Sequence, residues 1–120
     1  MDNWSSTTVI EDKFKGFPID SYGKTLEQFL ATKPNLFTAN FQFPIMVLKE
    51  AAIKNNIAQM MSFCNSVDAQ LAPHVKTTMS PQLAQMQVAA GATALTVANF
   101  WQGRIFLKHG FKNLIIANEV

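Results

Sequence analysis

The chain has 120 residues, enough for one modest domain, and 48% of them are hydrophobic against 15% charged, a balance that excludes a disordered tail and asks for a buried core. Ten basic and eight acidic residues are spread along it without a basic run or an aromatic-basic stripe, which argues against a nucleic-acid partner. The single cysteine, Cys64, excludes an internal disulfide, and with only His74 and His109 beside it no zinc-ligand spacing can be assembled, so no metal site is expected within this stretch.

Met1 to Ser6 lacks the basic start and apolar core of a secretory signal, and no apolar stretch reaches the length of a bilayer, so a cytoplasmic setting away from membranes is expected. Residues 1–42 carry scattered aromatics (Trp4, Phe14, Phe17, Phe29, Phe37, Phe41), turn residues at Gly16, Pro18, Gly23 and Pro34, and weak periodicity. They read as an N-terminal extension. Its one helical segment is 25–32, where Leu26, Phe29 and Leu30 share a face, Thr25 and Gln28 have capping-box spacing, and Pro34 ends the helix.

From Phe43 the signals sharpen. Residues 43–48 form an apolar run of strand length, and Ile53, Ile57, Met60, Met61 and Cys64 then recur at helical spacing, so 43–69 is expected to be a leading strand and helix. A strand over 70–76 follows, then Ser80-Pro81 as helix cap and first helical residue, and a helix with Leu83, Met86 and Ala90 on one side, stopped by Gly91. The pattern repeats with a strand over 94–98, a helix over 100–109 that turns Trp101 and Ile105 inward and is capped by Gly110, and a strand over 113–118. Continuously apolar strands such as Leu114 to Ala117 read as covered on both faces, and short helical connections require parallel pairing, so a parallel α/β sheet or barrel is expected. Such a set leaves an open edge and an uncovered inner face, and self-association of the isolated chain is the expected result.

The chemistry concentrates in Pro73-His74-Val75-Lys76-Thr77-Thr78-Met79-Ser80-Pro81, where one lysine closes an apolar run just before a helix start. A lysine at the carboxyl end of a parallel strand opens onto the face where α/β barrels place their active sites, and a desolvated amine there suits Schiff-base chemistry. This segment resembles the cofactor-lysine segment of the fold-type III pyridoxal-phosphate (PLP) enzymes, in the branch of D-serine dehydratases, D-threonine aldolases and related amino acid deaminases. The resemblance continues in register to Ala117-Asn118-Glu119-Val120, and is faint before residue 43, around Lys15-Gly16-Phe17-Pro18. Val75 departs from the pattern, because relatives usually place glycine or alanine before the lysine.

The resemblance implies a partial (β/α)8 TIM barrel of the alanine racemase N-terminal type, with 70–120 as its truncated first part holding about three barrel strands. It implies a D-amino acid dehydratase or deaminase in which Lys76 holds PLP as an internal aldimine and moves a proton, loss of a β-hydroxyl leading to a keto acid and ammonia. The 120-residue chain alone would be inactive. Around Lys76 the same likeness suggests cofactor contacts for His74, Thr78 and Asn118, with Asn99 at the end of the second strand. His74 equally reads as a hydrogen-bonded interior histidine, Thr78 as a loop residue, and Asn99 and Asn118 as loop starters. A divalent metal site would lie only in a C-terminal part absent here, the substrate would be a small D-amino acid, and the full-length enzyme would be a homodimer. A retro-aldol lyase like D-threonine aldolase, a non-catalytic PLP-binding or interaction protein, and a truncated inactive product are the other readings.

Overall fold

The computed structural model describes residues 4–119, which divide into two compact units between Val47 and Leu48. In the first unit, α1 (Trp4–Thr7) and α2 (Leu26–Ala31) flank a short 3-10 turn at Ile19–Ser21. The capping box forms as its spacing predicts: Gln28 N–H donates to Thr25 Oγ1 at 3.2 Å, and Thr25 N–H donates to Gln28 Oε1 at 2.8 Å. Phe29, which α2 turns inward, meets the rings of Phe17 and Phe41 at centroid distances of 5.5 and 5.9 Å. Ile10 is also buried in this unit, and of the three rings only Phe29 comes from a helical pattern. The strand expected over 43–48 does not form; those residues pair with no strand among the described residues.

The second unit holds α3 (Glu50–Ser66), α4 (Pro81–Ala89), β1 (Leu95–Val97), α5 (Phe100–Lys108) and β2 (Leu114–Ile116). Each helix after α3 begins at a side-chain cap: Leu83 N–H donates to Ser80 Oγ at 3.3 Å, and Gln102 N–H donates to Asn99 Oδ1 at 3.0 Å. Helix α4 gives way to Gly91 at φ +120°, a left-handed conformation that favours glycine. β1 and β2 run parallel in the register Leu95↔Leu114, Thr96↔Ile115 and Val97↔Ile116. Leu95 and Val97 turn to the helix side, where they pack with Val75, Ala84, Phe106 and Phe111 in one apolar cluster.

The barrel expectation is overturned. Among the described residues there are two strands, forming an open sheet without barrel-like curvature, and the strand expected over 70–76 is reduced to a single parallel bridge, His74↔Thr96. The reason lies in the donors. Around that bridge Thr96 N–H donates to Pro73 O at 2.8 Å and Val75 N–H to Thr96 O at 2.9 Å. One rung earlier the ladder would need an N–H from Pro73, which has none. One rung later it would need the N–H of Ala98, which donates instead to Gln102 Oε1 at 2.8 Å. Nor is the sheet covered on both faces: Ile115, in register with Thr96 on the side away from Leu95 and Val97, is 49% exposed.

A second correction concerns α5. Trp101 and Ile105 point outward, 69% and 44% exposed, while Gly103 and Phe106 face the sheet. Gly103 faces the strands, where a Cβ would stand at ordinary contact distance, 3.7 Å, from both Leu114 Cδ1 and Val97 Cγ2. The helix backbone lies close to the strands at that point, and Phe106, one turn on, fills the core.

Candidate functional site

Lys76 lies at the carboxyl end of the segment that bridges to β1, and the carboxyl ends of β1 and β2 point the same way because the pairing is parallel. In open α/β sheets this is the edge where ligands bind. Val75 anchors the lysine from behind, its side chain buried at 2% exposure in the helix-facing cluster. His74 and Lys76, on either side of it in sequence, are both exposed. The side chain at the family's small-residue position therefore points into the core, away from the face that His74 and Lys76 share.

Beyond Lys76 the chain turns at once. Met79 N–H donates back to Val75 O at 3.0 Å, closing a loop that contains Lys76, Thr77 and Thr78, and Lys76 N–H donates to His74 Nδ1 at 3.3 Å. The Lys76 amine has no ion-pair or hydrogen-bond partner among the described residues. A groove of about 210 Å³ lies beside this turn, between α3 and α4, lined by His74 and Thr78 together with Ile53, Ile57, Asn56, Leu83 and Gln87. His74 and Thr78 thus share one groove, which Lys76 adjoins in sequence without lining.

Asn118 stands two residues past the end of β2, exposed and outside that groove. Asn99 is committed to capping α5. Asn56 and Gln87 bring two amides to the groove wall that the sequence reading did not single out; on helices of mixed polarity nothing in their spacing marks them. Among the described residues no group of three or more His, Cys, Asp or Glu is placed to hold a metal ion, and no helix is long and apolar enough to cross a membrane.

No protein-family model matches the chain. Over 82 residues, 68% of its length, it is 29% identical to the D-threonine aldolase of Arthrobacter sp.. Over 74 residues, 62% of its length, it is 32% identical to the D-threo-3-hydroxyaspartate dehydratase of Delftia sp. (strain HT23). It also superposes on the solved structure of a mutant D-threo-3-hydroxyaspartate dehydratase with a TM-score of 0.70 at 28% identity, over 78% of this chain and 24% of that one. The chain is thus similar to enzymes of the fold-type III PLP family. The likeness is to the D-threonine aldolase and D-threo-3-hydroxyaspartate dehydratase branch, and the chain spans about a fifth of the length of these curated relatives, 22% and 20%.

A fold-type III enzyme needs a lysine amine for the PLP aldehyde and a cradle for its phosphate. The exposed, unpaired Lys76 amine fits the first need. At the starts of α4 and α5 one N–H each is taken up by the cap, Leu83 by Ser80 and Gln102 by Asn99. The Lys76 amine fits the aldehyde end of the cofactor.

Proposed function

We propose that this chain carries the cofactor lysine of a PLP-dependent dehydratase or deaminase acting on a small D-amino acid, with Lys76 as the residue that holds PLP. The observation that carries the reading is the placement of the Lys76 amine: uncommitted, at the carboxyl end of a segment in parallel pairing, in a chain similar to enzymes of this family. Bound there, PLP would supply an electron sink for bonds at the α-carbon of an amino acid.

The chain's own residues set the conditions for that chemistry. An ammonium cannot bond to an aldehyde, so the neutral amine of Lys76 is the reacting form, and no carboxylate among the described residues pairs with it. His74, two residues before it, brings an imidazole to the wall of the groove. Thr78 lines the groove beside the turn, and Ile53, Ile57 and Leu83 form its apolar wall. Asn118, at the neighbouring carboxyl end of β2, would contact the ligand from the other side of β1. The family resemblance adds a cytoplasmic homodimer as the working form of the complete enzyme, with any divalent metal bound by residues outside this chain.

The relatives include an aldolase as well as a dehydratase, which keeps retro-aldol cleavage as the second reading. The test is turnover by the complete enzyme. Replacing Lys76 by Ala is expected to lower the rate on D-serine by about a thousand-fold or more. Turnover of D-serine at the normal rate without Lys76 would sink the assignment, and cleavage of D-threonine to glycine in preference to dehydration would select the second reading.

A further inference from the structure

The loop that contains Lys76 is held from two sides. Val75 N–H is bonded to Thr96 O, and Val75 O receives the N–H of Met79, which fixes the backbone immediately before and after the turn. The remaining constraint on Lys76 itself is its own N–H, which donates to the Nδ1 of His74, two residues back, at 3.3 Å. An acceptor on residue i that takes the N–H of residue i+2 has the connectivity of an Asx turn, with the imidazole nitrogen in the place of an asparagine Oδ1. A ring nitrogen that accepts carries no proton, so the neutral ring presents its N–H from Nε2.

We propose that His74 is a positioning residue for Lys76: its Nδ1 clamps the Lys76 backbone N–H, so that the imidazole is held as the Nε2–H tautomer and the lysine leaves the turn in one direction. The consequence for catalysis rests on the reading of Lys76 as the cofactor lysine; the clamp itself does not. Both residues are exposed, so the clamp acts on the geometry of the turn and not on the core. The ring also lines the groove that Thr78 lines.

The test compares the 120-residue chain with His74→Phe, which keeps a ring without an acceptor, and His74→Asn, which keeps the acceptor at the same number of bonds from the backbone. By NMR, the neutral His74 ring is expected to carry its proton on Nε2. Hydrogen exchange at the Lys76 amide is expected to rise about five-fold in His74→Phe, the effect of losing one ordinary hydrogen bond, and to return to the parent rate in His74→Asn. Incubation with PLP and borohydride, with the yield of pyridoxyl-Lys76 read by mass, is expected to follow the same order. Unchanged amide exchange in His74→Phe, a proton on Nδ1 in the neutral ring, or equal labelling of Lys76 in all three proteins would each overturn the proposal. Absence of label at Lys76 in all three would instead count against the PLP reading, and amide exchange with the tautomer would then decide the clamp alone.

Discussion

Val75 donates its backbone N–H to the carbonyl of Thr96 at 2.9 Å, and this bond ties the segment that ends in Lys76 to β1. The same residue sends its side chain into the cluster of Leu95, Val97 and Phe106. One residue therefore couples the core of the second unit to the candidate site, by its backbone on one side and its side chain on the other.

Shortening Val75 should weaken that coupling without blocking the site. Val75→Ala removes two buried methyl groups and is expected to cost about 2 kcal/mol, read as a lower urea midpoint for the second unit. Because the side chain points away from the face of Lys76, the variant is expected to accept PLP at Lys76 as well as the parent does. A large change in labelling with stability intact would place Val75 on the ligand side instead.

Gly103 separates close approach from mere absence of a side chain. An added methyl would meet Leu114 and Val97 at ordinary contact distance, so Gly103→Ala should be neutral or stabilise by up to about 1 kcal/mol through helix propensity. Gly103→Leu should lift α5 from the strands at a cost of about 1 to 3 kcal/mol. Thermal melts of the two variants, moving in opposite directions, would establish the packing of α5; equal melts would refute it.

In the first unit, Gly16 and Gly23 both have positive φ, +89° and +82°, but their surroundings differ. A Cβ at Gly16 would overlap Ile45 Cγ2, whereas one at Gly23 meets nothing. Gly23→Ala should cost about 1 kcal/mol, the conformational penalty alone, and Gly16→Ala distinctly more. Proteolytic susceptibility of residues 4–47 in the two variants is the readout.

These elements show what a sequence of this kind reveals. Helix ends were legible because caps are local chemistry: Thr25 with Gln28 and Ser80 with Pro81 both act within a few residues. The inner face of α3 was largely legible too, with Ile53, Ile57, Met61 and Cys64 turned inward and Met60 half exposed. The phase of α5 was not, because Phe100, Trp101, Ile105, Phe106 and Leu107 offer apolar residues in several directions, and of these Phe106 is the one that the core takes up. Strand pairing was harder still. Residues 43–48 have the composition of a strand with no partner among the described residues, and 70–76 is interrupted by the donor that Pro73 lacks. At the site, His74 and Thr78 were found together at one groove, while Asn99 proved to be a cap and Asn56 and Gln87 carried no signal.

The Glu50 carboxyl is held below its ordinary range by a hydrogen bond from Lys54 and by the charge of that ammonium one turn along α3. A group whose value falls on folding stabilises the fold above its unfolded value, and that contribution is lost as pH drops through the folded value. Helix α3 should accordingly fray slightly more at acid pH than at neutrality. In Lys54→Met the NMR titration midpoint of Glu50 is expected to rise toward the ordinary glutamate value; an unmoved midpoint would remove Lys54 as the cause.

The central claim, that Lys76 holds the cofactor, is tested most directly on the native protein isolated from its source, treated with borohydride before denaturation and then digested for peptide mapping by mass. The account predicts a pyridoxyl group on the peptide that contains Lys76. Full recovery of that peptide unmodified, from a protein shown to contain PLP, would contradict it.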